Sequence, residues 1–217
     1  MEIMQGKTTR RMDAAEFGCL RAAYRDVLLD IGTGDGRFVL DAVHRSPHLL
    51  AIGLDACREN LRAAAARAEN VAAGRTPKAS RTSAGGAGAT GGALFVIASA
   101  NCLPHELRGL AGRVTINFPW GSLRDGLLEG ELALLESLRT VMQPGARLEV
   151  RLNASALAEA GWELLPGGER VRQQLARAGF RPRPARLIDT AALRALPSTW
   201  ARRLAFSRLP EAVYLES

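Results

Sequence analysis

The sequence predicts an α/β fold with a mostly parallel central sheet, on three observations. Short apolar runs alternate with segments of helical length and pattern, which is how strand, helix, strand repeats are written in parallel-sheet proteins. A glycine-rich turn, Asp30-Ile31-Gly32-Thr33-Gly34-Asp35-Gly36, falls where the first such run gives way to a helix. The chain is 217 residues long and 47% hydrophobic, enough to bury a sizeable core, so a fully disordered chain is excluded. A single domain over 1–217 is expected, with a short N-terminal extension (1–25).

Residues 13–24 place Phe17, Leu20 and Tyr24 at helical spacing behind Asp13, a residue type that caps helix N-termini. A strand over 27–31 leads into the glycine turn, and a helix over 37–45 stops before Pro47. The run 49–54 reads as a second strand, closed by Asp55, and an Ala- and Arg-rich helix follows over 58–71. Residues 72–92 are Ala, Gly, Ser and Thr without apolar periodicity and are expected to form a flexible loop. Strands are then expected at 94–98, 113–118 and 147–152. An amphipathic helix over 127–142 and a Pro144-Gly145 turn separate the last two. The remaining sixty or so residues hold a helix over 169–178, a stop at Gly179, and strand-like stretches at 184–188 and 212–215.

Three cysteines (Cys19, Cys57, Cys102) without C-x-x-C spacing argue against a disulfide framework or a structural zinc site, and no metal cluster is legible. There is no apolar N-terminal leader and no window of eighteen uninterrupted apolar residues, so a soluble cytoplasmic protein without a membrane partner is expected.

Chemistry first becomes legible at the glycine turn. Alternating glycines let the backbone approach a ligand and present amides at a helix N-terminus. The spacing is G-x-G-x-G, one residue short of the dinucleotide fingerprint G-x-G-x-x-G. Acids before and inside the loop repel a pyrophosphate but suit a cationic ligand, which favours S-adenosyl-L-methionine (SAM), with its ammonium and sulfonium, over a nicotinamide cofactor. Asp55, ending the second strand, is placed to accept from both ribose hydroxyls of an adenosine, or else to cap the helix that follows. Gly32, Gly34 and Gly36 complete that expected cofactor set, with Ala100-Asn101 after the third strand near the adenine, or else Asn101 forming a simple turn.

Two tryptophans mark a second function. Asn117-Phe118-Pro119-Trp120-Gly121-Ser122 ends the fourth strand, where an aromatic can stack on a nucleobase or simply pack in the core. Ser198-Thr199-Trp200-Ala201-Arg202-Arg203 and the Arg208 beyond it join an indole to three arginines, the composition of base stacking with phosphate contact. The chain carries 29 Lys+Arg and 22 Asp+Glu, a net +7, and only Lys7 and Lys78 are lysine. Residues 170–208 hold ten arginines and one acid, Asp189, a net +9, leaving about −2 elsewhere. That clustering reads as a footprint for nucleic acid. His44, His48 and His105 have no partner at catalytic spacing. Their isolation suits methylation of a ring nitrogen with an available lone pair, where alignment suffices.

Taken together, DIGTGDGR, the GLD of the second strand, A-x-x-LP from Ala100 to Pro104, FPWGSL from Phe118 to Leu123 and STWARRLAFSR resemble the aminoglycoside-resistance 16S rRNA (adenine(1408)-N(1))-methyltransferases, the kanamycin-apramycin resistance group. The resemblance covers most of the chain. It implies a Rossmann-like class I SAM-dependent methyltransferase. Its substrate would be helix 44 of 16S rRNA in the 30S subunit, where it would act as a monomer, flip the target adenine and methylate N1, conferring aminoglycoside resistance. By that resemblance Asp30, Gly32 and Asp55 hold the cofactor, with Ala100 and Asn117 near its adenine. Trp120 and Trp200 sandwich the flipped base, Ser198 closes the pocket, and Arg203 and Arg208 grip the rRNA. Asn101 stands where the family often has an acid, and Asn117 where it often has an aliphatic residue.

Two other readings remain open at this level. A tRNA (guanine-N7)-methyltransferase shares Asn117-Phe118-Pro119 but would need a D-P-W-P stretch, whereas Trp120-Gly121-Ser122 follows at once. A non-catalytic rRNA-binding protein of the same fold would not need the intact Asp30-to-Gly36 loop and Asp55.

Overall fold

The computed structural model describes residues 1–72, 92–206 and 211–217, apart from the side chains of 70–72, 199 and 200. Most of the expected 72–92 loop, and Arg208, lie outside the described residues. The chain opens with a hairpin, β1 (Glu2–Gln5) and β2 (Thr8–Arg11), followed by α1 (Ala14–Ala22). Asp13 caps α1 by accepting from the Glu16 N–H. Then come β3 (Asp26–Ile31), α2 (Arg37–Arg45), β4 (Leu49–Asp55), α3 (Arg58–Ala72), β5 (Ala93–Ile97) and β6 (Ala111–Asn117). Next are α4 (Gly121–Glu129), α5 (Leu132–Val141), β7 (Met142–Asn153), α6 (Ala154–Glu159) and α7 (Leu164–Arg177). The chain closes with β8 (Arg186–Ile188), α8 (Thr190–Ala195), α9 (Thr199–Ala205) and β9 (Ala212–Glu216).

Among the described residues the strands form one nine-stranded sheet in the order β2-β1-β5-β4-β3-β6-β7-β9-β8. The run from β5 to β7 is parallel, and both edges are antiparallel. This is the α/β, mostly parallel core that the alternating pattern predicts, extended by antiparallel strands. Chain order reverses at β3, with β4 on one side and β6 on the other. A ligand crevice is expected outside the carboxyl ends of strands at such a switch point. Strand alternation assigns each face: Leu29, Ile31, Val114, Ile116, Leu148 and Val150 join the core made with α1, α4, α5 and α7. Leu28, Ala51 and Phe95 meet α2 and α3 on the other face.

Four features depart from the sequence expectations. The hairpin carries no long apolar run, yet β1 buries Ile3 and Met4 and pairs with β5. The helix expected over 127–142 is two helices, because Gly130 adopts φ +76 and the Gly130 and Glu131 N–H groups both turn back to the Gly126 carbonyl. The Pro144-Gly145 segment falls inside β7 as an irregularity in its pairing with β6, not ahead of the strand. Helix α7 begins at Leu164, not at 169. Pro166 falls in its first turn, where a missing N–H costs nothing, and Gly167 and Gly168 let Leu157 and Val213 approach within 2.9 Å of where a Cβ would sit.

Candidate active site

A cleft of about 590 Å³ opens at the carboxyl ends of β3, β4, β5 and β6. Its wall is built from Asp30–Asp35, Leu54–Ala56, Ala98–Asn101 and Asn117–Trp120, closed by Ser122, Leu123, Ser198 and Arg203. That volume lies within the range of nucleotide-sized ligand pockets.

The glycine loop forms one rim. Gly32 and Gly34 take φ +69 and +56, in the left-handed region that disfavours side chains. A Cβ on Gly32 would also meet Leu123 Cδ2 at 2.7 Å, whereas nothing lies within 4 Å of that position at Gly34. The loop is tied to the end of β4. Its Gly34 N–H donates to Asp55 Oδ2 at 3.0 Å, and Asp55 Oδ1 accepts from the Cys57 N–H at 2.9 Å and Asn60 Nδ2 at 3.3 Å. Asp55 therefore accepts hydrogen bonds in the turn ahead of α3 and also lines the cleft.

Asp30 forms the floor and is 1% exposed. It accepts from the Thr33 and Thr115 hydroxyls at 2.7 Å each and from Asn117 Nδ2 at 2.9 Å. Burial lifts its carboxyl above the ordinary range, against these donors and the Arg151 charge. Asp35 and Asp55 line the cleft as well, so the glycine-loop side is acidic.

Opposite stands Trp120. Phe118, the residue two before it, has φ +53, the one positive value among described non-glycine residues. That turn swings the chain off β6. It buries the Phe118 ring with Leu193, Ala201, Leu204, Ala205 and Ala212, a small core beneath α8 and α9. Pro119 and the half-buried Trp120 then line the cleft. Ser198 caps α9 by accepting from the Ala201 N–H. Both Ser198 and Arg203 line the cleft; the Trp200 backbone lies between them in α9, its side chain outside the described residues.

A profile of the NpmA family, described as 16S rRNA (adenine(1408)-N(1))-methyltransferase, matches residues 2–217. The chain belongs to this family. It is 31% identical to the 16S rRNA (adenine(1408)-N(1))-methyltransferase of Streptoalloteichus tenebrarius over 96% of this chain and 94% of that protein. It is 32% identical to the one from Streptoalloteichus hindustanus, with the same coverage. Its structure is similar to the crystal structure of the 16S rRNA methyltransferase KamB, with a TM-score of 0.82, 29% identity, and 100% and 98% of the two chains covered. A variant of the 16S rRNA (adenine(1408)-N(1))-methyltransferase from Catenulisporales acidiphilia, crystallised with cosubstrate SAM, is similar at a TM-score of 0.79 and 28% identity, covering 99% of this chain and 95% of that one.

In this methyltransferase the residues present fit SAM: acids toward a cationic ligand, open space where a Gly34 side chain would stand, and a cleft of nucleoside size. Of the residues singled out from the sequence, Asp30, Gly32, Gly34, Asp55, Ala100, Asn101, Asn117, Trp120, Ser198 and Arg203 come together around one cleft. Gly36 and Arg202 are not among its lining residues: Gly36 packs against Ala64 and Phe95, and Arg202 is exposed on α9. The Asn101 amide donates to Glu131 Oε1 at 2.6 Å, which brings a carboxylate against this cleft residue.

Several arginines of the basic segment have partners within the chain. Arg172 pairs with Glu169, Arg183 and Arg186 lie near Glu216, and Arg170 donates to the Leu128 carbonyl. Phe38 and Asn60 line the cleft without having been singled out as site residues in the sequence, and Ser122 and Leu123, quoted only as part of FPWGSL, line it as well. Thr33 reaches Asp30 locally, from within the glycine loop; Thr115 and Arg151 carried no motif, and only the sheet register brings them to Asp30 and Asn117. Among the described residues no helix is long and apolar enough to cross a membrane.

Proposed function

We propose that this protein transfers a methyl group from SAM to N1 of adenine 1408 in 16S rRNA, acting as a monomer on helix 44 of the 30S subunit and conferring aminoglycoside resistance. The observation that carries the reading is the convergence of two chemistries on one cleft, in a chain matched to this family from residue 2 to 217. One side offers acids and open glycine backbone; the other offers Trp120, Ser198 and Arg203.

Asp55 holds ribose hydroxyls, with its carboxylate already oriented by three N–H donors. Asp30 and the loop bind the methionine end. SAM supplies, when bound, a methyl group made electrophilic by its sulfonium. Adenine N1 has a lone pair at neutral pH, so no general base is required. What the protein supplies is alignment and exclusion of water. Trp120 and Trp200 stack on the flipped base, and their π faces stabilise the positive charge the ring gains on methylation. Arg203, with Arg202 and Arg208, engages the rRNA backbone.

Incubation of purified 30S subunits with protein and SAM, followed by primer extension, tests the reading. A SAM-dependent stop at adenine 1408 is expected. A stop at a guanine, or modification of free tRNA instead, would overturn it.

A further inference from the structure

A line of buried polar side chains leaves the floor of the cleft and crosses to β7. Asp30 on β3 accepts from Asn117 Nδ2 on β6, and Asn117 Oδ1 accepts from Arg151 Nη1 on β7 at 2.8 Å. Arg151 Nη2 donates to Glu149 Oε2 at 2.8 Å, and Arg113 grips the same carboxylate with bonds of 2.7 and 2.9 Å. Glu149 and Arg151 are 3% and 8% exposed, and neither lines the cleft. The Tyr214 ring on β9 lies under the Arg151 guanidinium, 5.0 Å from its centre, which limits the side chain's freedom to swing away.

Burying charges sacrifices solvation that pairing only partly restores, and apolar side chains would serve the sheet as well. The arrangement does solve one problem at the cleft. An amide can present either its oxygen or its NH₂ group to a neighbour. Only NH₂ is compatible with a carboxylate such as Asp30; the oxygen would repel it. Arginine has donors and no acceptor, so Arg151 can engage Asn117 only through Oδ1. That contact turns Nδ2 toward Asp30.

We propose that Arg151 is a positioning residue for the cofactor site: it sets the Asn117 amide and thereby fixes the orientation and charge of the Asp30 carboxylate beneath the cleft. This rests on the reading of the cleft as the SAM site. The groups facing Asp30 are Thr33 from the loop, Thr115 and Asn117 from β6 and Arg151 from β7; Asp35 and Asp55 share its cleft. Burial raises the Asp30 pKa and the guanidinium charge opposes that rise. Removing Arg151 therefore moves Asp30 protonation toward neutral pH and weakens the hold on a cationic ligand.

The test is calorimetric titration of SAM from acid to neutral pH with wild type, Arg151→Met, Arg151→Lys and Asn117→Leu, each first checked for folding by circular dichroism. Asn117→Leu breaks the line while leaving the Arg151–Glu149 pair in place, so it answers the question even if Arg151→Met fails to fold. Roughly tenfold weaker binding is expected for Arg151→Met and Asn117→Leu at neutral pH, with the acid limb of the affinity profile displaced upward. Arg151→Lys, which keeps the charge and a donor, should recover most of that displacement. Wild-type affinity and profile in a folded Asn117→Leu, or weakened binding with an unmoved acid limb, would overturn the proposal. Failure of the wild type to bind SAM at any pH would instead sink the reading of the cleft.

Discussion

The Gly34 N–H donates to Asp55 Oδ2 at 3.0 Å, joining the loop after β3 to the end of β4, residues 21 positions apart in sequence. One carboxylate thus sets the shape of the glycine loop and stands in the cleft it bounds. Replacing Asp55 by Ala is expected to weaken SAM binding at least about tenfold, the scale of one lost charge-assisted hydrogen bond. Calorimetry checks this, and an unchanged affinity would remove Asp55 from the cofactor site.

Trp120→Ala should abolish methylation of 30S subunits while leaving subunit binding and SAM affinity close to wild type. The indole is assigned to holding the flipped base, not to docking. Primer extension and a filter-binding assay on the same preparation separate those outcomes. Near-full methylation would remove the stacking role.

Phe118 couples Trp120 to α9, since its ring is buried with Ala201, Leu204 and Ala205. Phe118→Ala is expected to cost about 3–5 kcal/mol of stability and to lower methylation together with it. Chemical denaturation measures the first. Stability within about 1 kcal/mol of wild type would show that the small core under α8 and α9 does not hold the Trp120 turn.

Glu149 is held below its ordinary pKa of 4.5: burial opposes its ionisation, and Arg113 and Arg151 together outweigh that effect. The sign follows directly. Stability from this carboxylate is complete above 4.5 and is lost as pH falls through the depressed folded value. Glu149→Gln should be less stable than wild type at neutral pH and show a flatter decline into acid. Thermal unfolding across that pH range is the measurement, and parallel curves for the two proteins would contradict it.

Arg203 lines the cleft from α9, and its replacement by Ala should reduce 30S affinity and lower the slope of log affinity against log salt by about one unit. Arg172→Ala, which removes the partner of Glu169, should leave that slope unchanged. Binding measured over a salt series distinguishes them.

What the sequence determined by itself was local. Asp13 as a helix cap, the apolar runs of β3, β4 and β5, and the glycine loop between β3 and α2 all express spacing and residue type within one element. The motifs of the site were legible for the same reason: Asp30, Gly32, Gly34, Asp55, Trp120, Ser198 and Arg203 each stand in a short pattern at an element's end. Only the tertiary structure decided the rest. β1 and β2 are too short and polar to announce themselves, and they become strands by pairing with each other and with β5. Gly130 and Pro166 moved helix ends because a left-handed residue breaks a helix, whereas a first-turn proline does not. The cluster of arginines over 170–208 was legible in sequence, but that Arg183 and Arg186 lie near Glu216 follows from the pairing of β8 with β9. Arg151 and Glu149 belong to a strand whose alternation says only that they leave the apolar face. Their contact with Asn117, and through it with Asp30, arises from the register of β7 on β6 and β6 on β3, which depends on side-chain packing across strands distant in sequence.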